Sequence, residues 1–128
     1  MRPQPLIAVR DAEASSRWYP RLLDCKSGNG GKDYEQLLYR GERVMQLHAW
    51  DVQDDEHPHT GRAESKPYGN GVLLWFQVES FDAAVARAGE LGAEILEEPH
   101  TNPNAGQREV WLRDPDGHVV VIASLPGA

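Results

Sequence analysis

A single cysteine, Cys25, is all this chain has. No intramolecular disulfide can brace the fold, and a reducing compartment is expected. Long apolar runs are missing as well: none approaches the ~20 residues that a membrane helix needs. The opening Met1-Arg2-Pro3-Gln4-Pro5 lacks the apolar stretch of a signal peptide. These absences predict a cytoplasmic protein without a membrane partner. Positive charge is scarce, with 13 Lys and Arg against 20 Asp and Glu and a formal net charge of −7. Little is available to displace counterions from a phosphate backbone, so nucleic acid is not an expected partner. The acidic field favours a cationic ligand, and it also serves plain solubility. Catalytic signatures are sparse too. There is no Gly-x-Ser-x-Gly elbow, and Gly28-Asn29-Gly30-Gly31 lacks the Lys-Ser/Thr of a phosphate loop, so it reads as a connecting turn. Cys25 follows a helix end, where the backbone dipole disfavours a thiolate.

What is present organises 128 residues as one domain, 1–128. Residues 5–10 read as a short apolar strand. Asp11 stands at a helix N-cap with Glu13 in the first turn. Ala14, Trp18 and Leu22 recur at spacing four beside Tyr19 and Leu23, an amphipathic stripe ending near Asp24, with Pro20 as the point where it would kink. The Ser27-Gly28-Asn29-Gly30-Gly31 turn leads to strands over 34–39 and 43–50, joined across Arg40-Gly41-Glu42. Residues 51–70 are polar and rich in turn formers, and read as a linker loop in which His57 and His59 are solvated.

The second half repeats the pattern. A strand over 72–79 leads to an N-cap at Ser80, then a helix with Phe81, Val85 and Ala88 on one side, stopped at Leu91-Gly92. A strand begins at Ile95-Leu96 and ends at Glu98-Pro99, followed by a turn-rich stretch to Gly106. Strands over 108–113 and 118–124 close the chain, joined by Asp114-Pro115-Asp116-Gly117 as a type I turn. His100 and His118 flank turns and are expected at the surface. The intervals Val9 to Val44 and Val78 to Val119 differ by six residues, so a doubled unit of about fifty residues is indicated. Each copy, about 4–50 and 71–124, is one strand, one helix and three strands. The expected class is α+β: two βαβββ modules forming a curved open barrel with helices outside.

Leu6-Ile7-Ala8-Val9-Arg10-Asp11, the helix ending Leu22-Leu23-Asp24, and above all Arg108-Glu109-Val110-Trp111-Leu112-Arg113-Asp114-Pro115-Asp116-Gly117 resemble the glyoxalase, bleomycin-resistance and extradiol-dioxygenase superfamily, the vicinal oxygen chelate fold. The resemblance runs from about residue 4 to residue 124. It implies a metal held by one side chain from each of four strands, at Gln4, Gln46, Leu73 and Val121 in this chain. Leu73 and Val121 are hydrocarbon and offer no lone pair, and two neutral amides are poor ligands alone. The expectation is therefore no metal and no cofactor.

Strand alternation proposes what the cleft would hold instead. Gln46 carries His48 and Trp50 on its face, Leu73 carries Trp75 and Gln77, and Val121 carries Val119 and Ala123. On the seventh strand Glu109 and Trp111 are assigned inward, since Val110 and Leu112 suit packing under a helix. With Gln4, this lining suits a flat aromatic or cationic organic ligand. Two readings of His48 stand: a residue hydrogen-bonded in the wall, or a ligand contact. Trp75 and Trp111 likewise read as ligand platform or as core. A metal-free, acidic, Trp-lined chain resembles the bleomycin-resistance-type proteins, which sequester an antibiotic at a homodimer interface, often with exchange of the N-terminal strand. Pro3 and Pro5 would mark that hinge. The alternative is a lyase, isomerase or dioxygenase with a rearranged site, His48 and Glu109 being the catalytic candidates.

Overall fold

Two βαβββ units make up the computed structural model, which describes residues 1–28, 30–50 and 59–127. Asn29 of the predicted turn and residues 51–58 of the predicted linker, His57 among them, lie outside the described residues. The first unit spans Met1–Lys66 and the second Pro67–Ala128, so the division falls within the stretch read as a linker.

In the first unit, strand β1 (Leu6–Val9) leads into helix α1 (Ala12–Leu23), followed by β2 (Lys26–Ser27), β3 (Tyr34–Tyr39) and β4 (Glu42–Ala49). The sheet order is β1-β4-β3-β2, with β1 parallel to β4 and the other pairs antiparallel. Asp11 caps α1, its side chain accepting from the Ala14 N–H at 3.0 Å. Asp24 ends the helix at φ 55°, with its N–H bonded to the Pro20 carbonyl. The helix runs through Pro20, whose missing N–H costs one bond to the Ser16 carbonyl, and ends four residues later at the Asp24 cap. Its inward stripe is Ala12, Ser15, Tyr19, Leu22 and Leu23 rather than one centred on Ala14 and Trp18. Trp18 lies half-buried, edge-on to Tyr19 at 4.9 Å. This side of α1 packs on β3 and β4, where Leu37, Met45 and Leu47 are fully buried. Burying each such side chain contributes roughly 1.5–3 kcal/mol.

Ser27, read as the start of a turn, belongs with Lys26 to a short edge strand that pairs with Leu37 and Leu38. The turn after it is held by buried Glu35, whose Oε1 accepts the N–H groups of Gly30 at 3.1 Å and Gln36 at 2.8 Å. Gly30 is required by close approach, since a Cβ there would lie 2.1 Å from the Tyr34 carbonyl oxygen. Arg40 and Gly41 close the β3–β4 hairpin at φ 51° and 81°, the positive pair of a type I′ turn.

The second unit repeats this topology with β5 (Leu74–Gln77), α2 (Phe81–Glu90), β6 (Glu94–Asn102), β7 (Gln107–Arg113) and β8 (Val119–Ala123), in the order β5-β8-β7-β6. Phe81, Ala84 and Ala88 are buried on α2, while Val85 is only half-buried. Arg108 lies over the Phe81 ring at 4.5 Å and pairs with Asp82 at 2.9 Å. That places α2 on the side of Val110 and Leu112. Strand β6 does not stop at Pro99. It continues to Asn102 through two register shifts, and Pro99 is tolerated because β6 is the sheet edge.

Asp114-Pro115-Asp116-Gly117 forms the expected turn, with the Gly117 N–H bonded to the Asp114 carbonyl at 3.0 Å. The Asp114 side chain also accepts the N–H groups of Asp116 at 2.9 Å and His118 at 2.8 Å. This second set of bonds draws His118 inward. It is 8% exposed, with its ring 5.4 Å from that of Tyr68, and not at the surface as expected.

Candidate functional site

Each sheet has one face turned to its helix and one turned away, and the predicted site residues divide between the two outward faces. In the first unit Gln46 pairs with Leu6 and Gln36, while His48 pairs with Ala8 and Tyr34. These side chains share the face opposite Met45 and Leu47. A bulge alters this face near its end: Leu37 opposes Met45 but Leu38 opposes Arg43, leaving Val44 as the extra residue. Arg43 thereby joins the Gln46 side. Its Nε and Nη2 donate to Gln4 Oε1 at 3.0 and 2.5 Å, and Nη1 lies 3.5 Å from Tyr34 Oη. Tyr34 Oη donates to Gln46 Oε1 at 2.8 Å, and Gln46 Nε2 donates to the Gln4 carbonyl at 2.9 Å. Gln4 and Gln46 are thus brought together in one closed polar network, all of it half-buried.

His48 is 7% exposed. Its Nδ1 lies 3.0 Å from the Ala49 carbonyl, which can only accept, so Nδ1 carries the hydrogen. The ring meets Tyr34 edge-on at 6.2 Å. Trp50 follows the end of β4, where its backbone N–H bonds the Val9 carbonyl.

In the second unit one row of the outward face reads Trp75, Val121, Trp111, and the next reads Gln77, Ala123, Glu109, His100. Leu73 lies just before β5 and is exposed. Trp75 and Trp111 meet edge to face, with centroids 6.3 Å apart and planes at 80°. Trp75 remains 44% exposed. Beside them Glu109 is 2% exposed, with both oxygens engaged. Trp111 Nε1 donates to Oε1 at 3.0 Å and Asn102 Nδ2 donates to Oε2 at 3.0 Å. His100 Nε2 stands 3.8 Å from Oε1, while its Nδ1 faces the Glu98 carbonyl at 2.8 Å. The result is a buried carboxylate bonded to the half-buried Trp111 indole, which in turn meets the exposed Trp75 ring.

Chain positions at which the resemblance implies metal ligands do not suit one here. The Gln4 amide oxygen already takes two N–H groups from a guanidinium, and a divalent ion there would face that positive charge. Gln46 Oε1 is held by Tyr34. Leu73 and Val121 have no donor atoms, and Val121 is fully buried. Among the described residues no three His, Cys, Asp or Glu side chains form a group that could hold a metal ion. Cys25 offers no nucleophile either: burial, and then the neighbouring Asp24, push its thiol up to about 11.

Sequence reasoning missed Tyr34, Arg43, His100 and Asn102. Arg43 reaches its face only through a bulge, and His100 and Asn102 belong to a strand segment read as a turn. Tyr34 had a legible signal, since alternation along β3 sets it with Gln36, but the pairing partner was not readable.

A doubled βαβββ topology defines the class of fold, and comparison with known families names it. Residues 3–122 match the model of the Glyoxalase/Bleomycin resistance protein/Dioxygenase superfamily, and the chain belongs to that superfamily. Solved structures of the same fold include a glyoxalase/bleomycin resistance protein/dioxygenase family enzyme from Burkholderia phytofirmans PsJN, 20% identical over 94% of this chain and 95% of that one, at a TM-score of 0.73. TioX from Micromonospora sp. ML1 is 18% identical over 97% and 98%, at 0.71. The fosfomycin resistance protein FosX from Mesorhizobium loti is 16% identical over 98% and 91%, at 0.67. At these identities the likeness is one of fold. No curated protein gives a significant sequence match. Among the described residues no helix is long and apolar enough to cross a membrane.

Proposed function

We propose that this protein is a metal-independent binding protein for a small aromatic or cationic organic molecule, an antibiotic-sequestering type acting as a homodimer. The observation that carries the reading is the outward face of the second unit, where the exposed Trp75 ring stands against Trp111, whose Nε1 donates to the buried Glu109 carboxylate. An indole face and a desolvated negative charge together favour a flat cation. The guanidinium on Gln4 supports independence from a metal, and the drug-resistance name of one structural relative supports an antibiotic as the ligand, without bearing on its charge or aromaticity.

Titration with phenyltrimethylammonium, followed by Trp fluorescence, tests the reading. Saturable quenching is expected, unchanged by EDTA, and weakened roughly tenfold or more in Trp75→Ala and Glu109→Gln. Stoichiometric, tightly held metal that is required for binding would overturn it. The homodimer is checked by sedimentation.

An enzyme of the same superfamily is the second reading, favoured by the placement of His48 beside Tyr34 on the outward face of the first sheet. It predicts that His48→Ala abolishes turnover while ligand affinity stays.

A further inference from the structure

Arg43 is set apart from the paired arginines of this chain. Arg2, Arg62, Arg108 and Arg113 each contact a carboxylate, from Glu42, Glu64, Asp82 and Glu94 respectively. Arg43 is half-buried, and among the described residues its partners are neutral oxygens alone, Gln4 Oε1 and Tyr34 Oη. The chain holds 20 acidic residues against 13 basic ones, so a half-buried guanidinium that meets no carboxylate among the described residues is a specific arrangement. A buried or half-buried charge is ordinarily matched by an opposite one.

The neutral partners position the group. Gln4 Oε1 takes one N–H from Nε and one from Nη2. The Gln4 backbone is tied in turn by Gln46 Nε2, and the Tyr34 hydroxyl is fixed by its bond to Gln46 Oε1. A guanidinium has five N–H groups. Two go to Gln4 and one faces Tyr34, which leaves two, one on each terminal nitrogen. That pair matches the two oxygens of a carboxylate, the bidentate geometry for which arginine is suited and lysine is not. The half-buried Tyr34 ring, edge-on to His48, supplies aromatic area beside it.

We infer that Arg43, held by Gln4 and Tyr34 on the outward face of the first sheet, is a recognition site for the carboxylate of a small planar organic acid. The inference is separate from the cation reading of the second unit, and neither requires the other. Carboxylate binding needs no metal and no covalent step. The guanidinium supplies the charge, and its fixed plane supplies the selectivity.

The test is titration of the intact protein with sodium benzoate, followed by NMR of the Arg43 Nε–Hε resonance, with inorganic phosphate as the second probe. A saturable shift with benzoate is expected. Affinity should fall roughly tenfold to a hundredfold in Arg43→Gln, given the strength of charge-assisted hydrogen bonds, and less in Arg43→Lys. Gln4→Ala keeps the charge and frees the guanidinium, and a several-fold loss is expected from it. Thermal melting of each variant shows that it is folded. Unchanged benzoate affinity in folded Arg43→Gln, no saturable shift in the wild type, or tighter binding of phosphate than of benzoate would each overturn the assignment.

Discussion

Replacing Asp114 by Ala tests whether the β7–β8 turn is a structural keystone of the second unit. Asp114 is 5% exposed, and its Oδ1 accepts two backbone N–H groups, from Asp116 at 2.9 Å and His118 at 2.8 Å. Ala at this position removes the acceptor that both N–H groups share, in a place nearly closed to water. Breaking a buried hydrogen bond to a charged group costs about 1.5–3 kcal/mol, so the pair predicts a loss of about 3 kcal/mol. For a chain of this size that lowers Tm by roughly 10 °C. Asn keeps the accepting oxygen at the same reach, and Asp114→Asn should lose about 1 kcal/mol or less. The assay is urea unfolding of all three proteins, with the midpoint shifting and the slope unchanged if only native stability is altered. A loss below about 0.5 kcal/mol in Asp114→Ala would place it among ordinary surface changes and refute the reasoning. The turn would then be held by its backbone bond and glycine alone.

Gly30→Ala would set a Cβ 2.1 Å from the Tyr34 carbonyl oxygen and 2.8 Å from the Glu35 Cα, both backbone atoms. A loss of about 2 kcal/mol is expected in urea unfolding, and an equally stable variant would show that this turn adapts. Cys25, pushed from 9.0 up to about 11, should carry about a hundredfold less thiolate at pH 8 than an unshifted thiol. Alkylation by iodoacetamide should therefore be slow in the folded protein and fast in urea, and equal rates would contradict it. The sign for stability follows: between pH 9 and 11 the unfolded chain gives up this proton while the native thiol keeps it, so stability falls as pH rises through that window.

Local chemistry was sufficient for most of the architecture. Asp11 and Ser80 cap their helices with side-chain bonds to Ala14 and Ala83, and such caps depend on neighbours three residues apart. Strands β3 and β4, the hairpin at Arg40-Gly41 and the turn at Asp114 likewise rest on residues close in the chain, which is why two copies of one unit could be read from a single sequence. Which residues of β4, β5, β7 and β8 share a face was also readable, because alternation is a property of the pleat.

Only tertiary structure decided what those residues meet. Arg43 sits beside Gln4 because a bulge at Val44 turns it there, and no residue type announces that shift. Glu109 gains Asn102 and His100 because β6 runs on past Pro99, which local propensity reads as a stop but an edge strand permits. His118 is buried by the bonds its turn makes to Asp114 and by the Tyr68 ring, a residue fifty positions earlier. Propensity and periodicity act over a few residues. The partners of a buried polar group come from wherever the fold brings an atom within about 3 Å, and that distance is set by the sheet rather than by the chain.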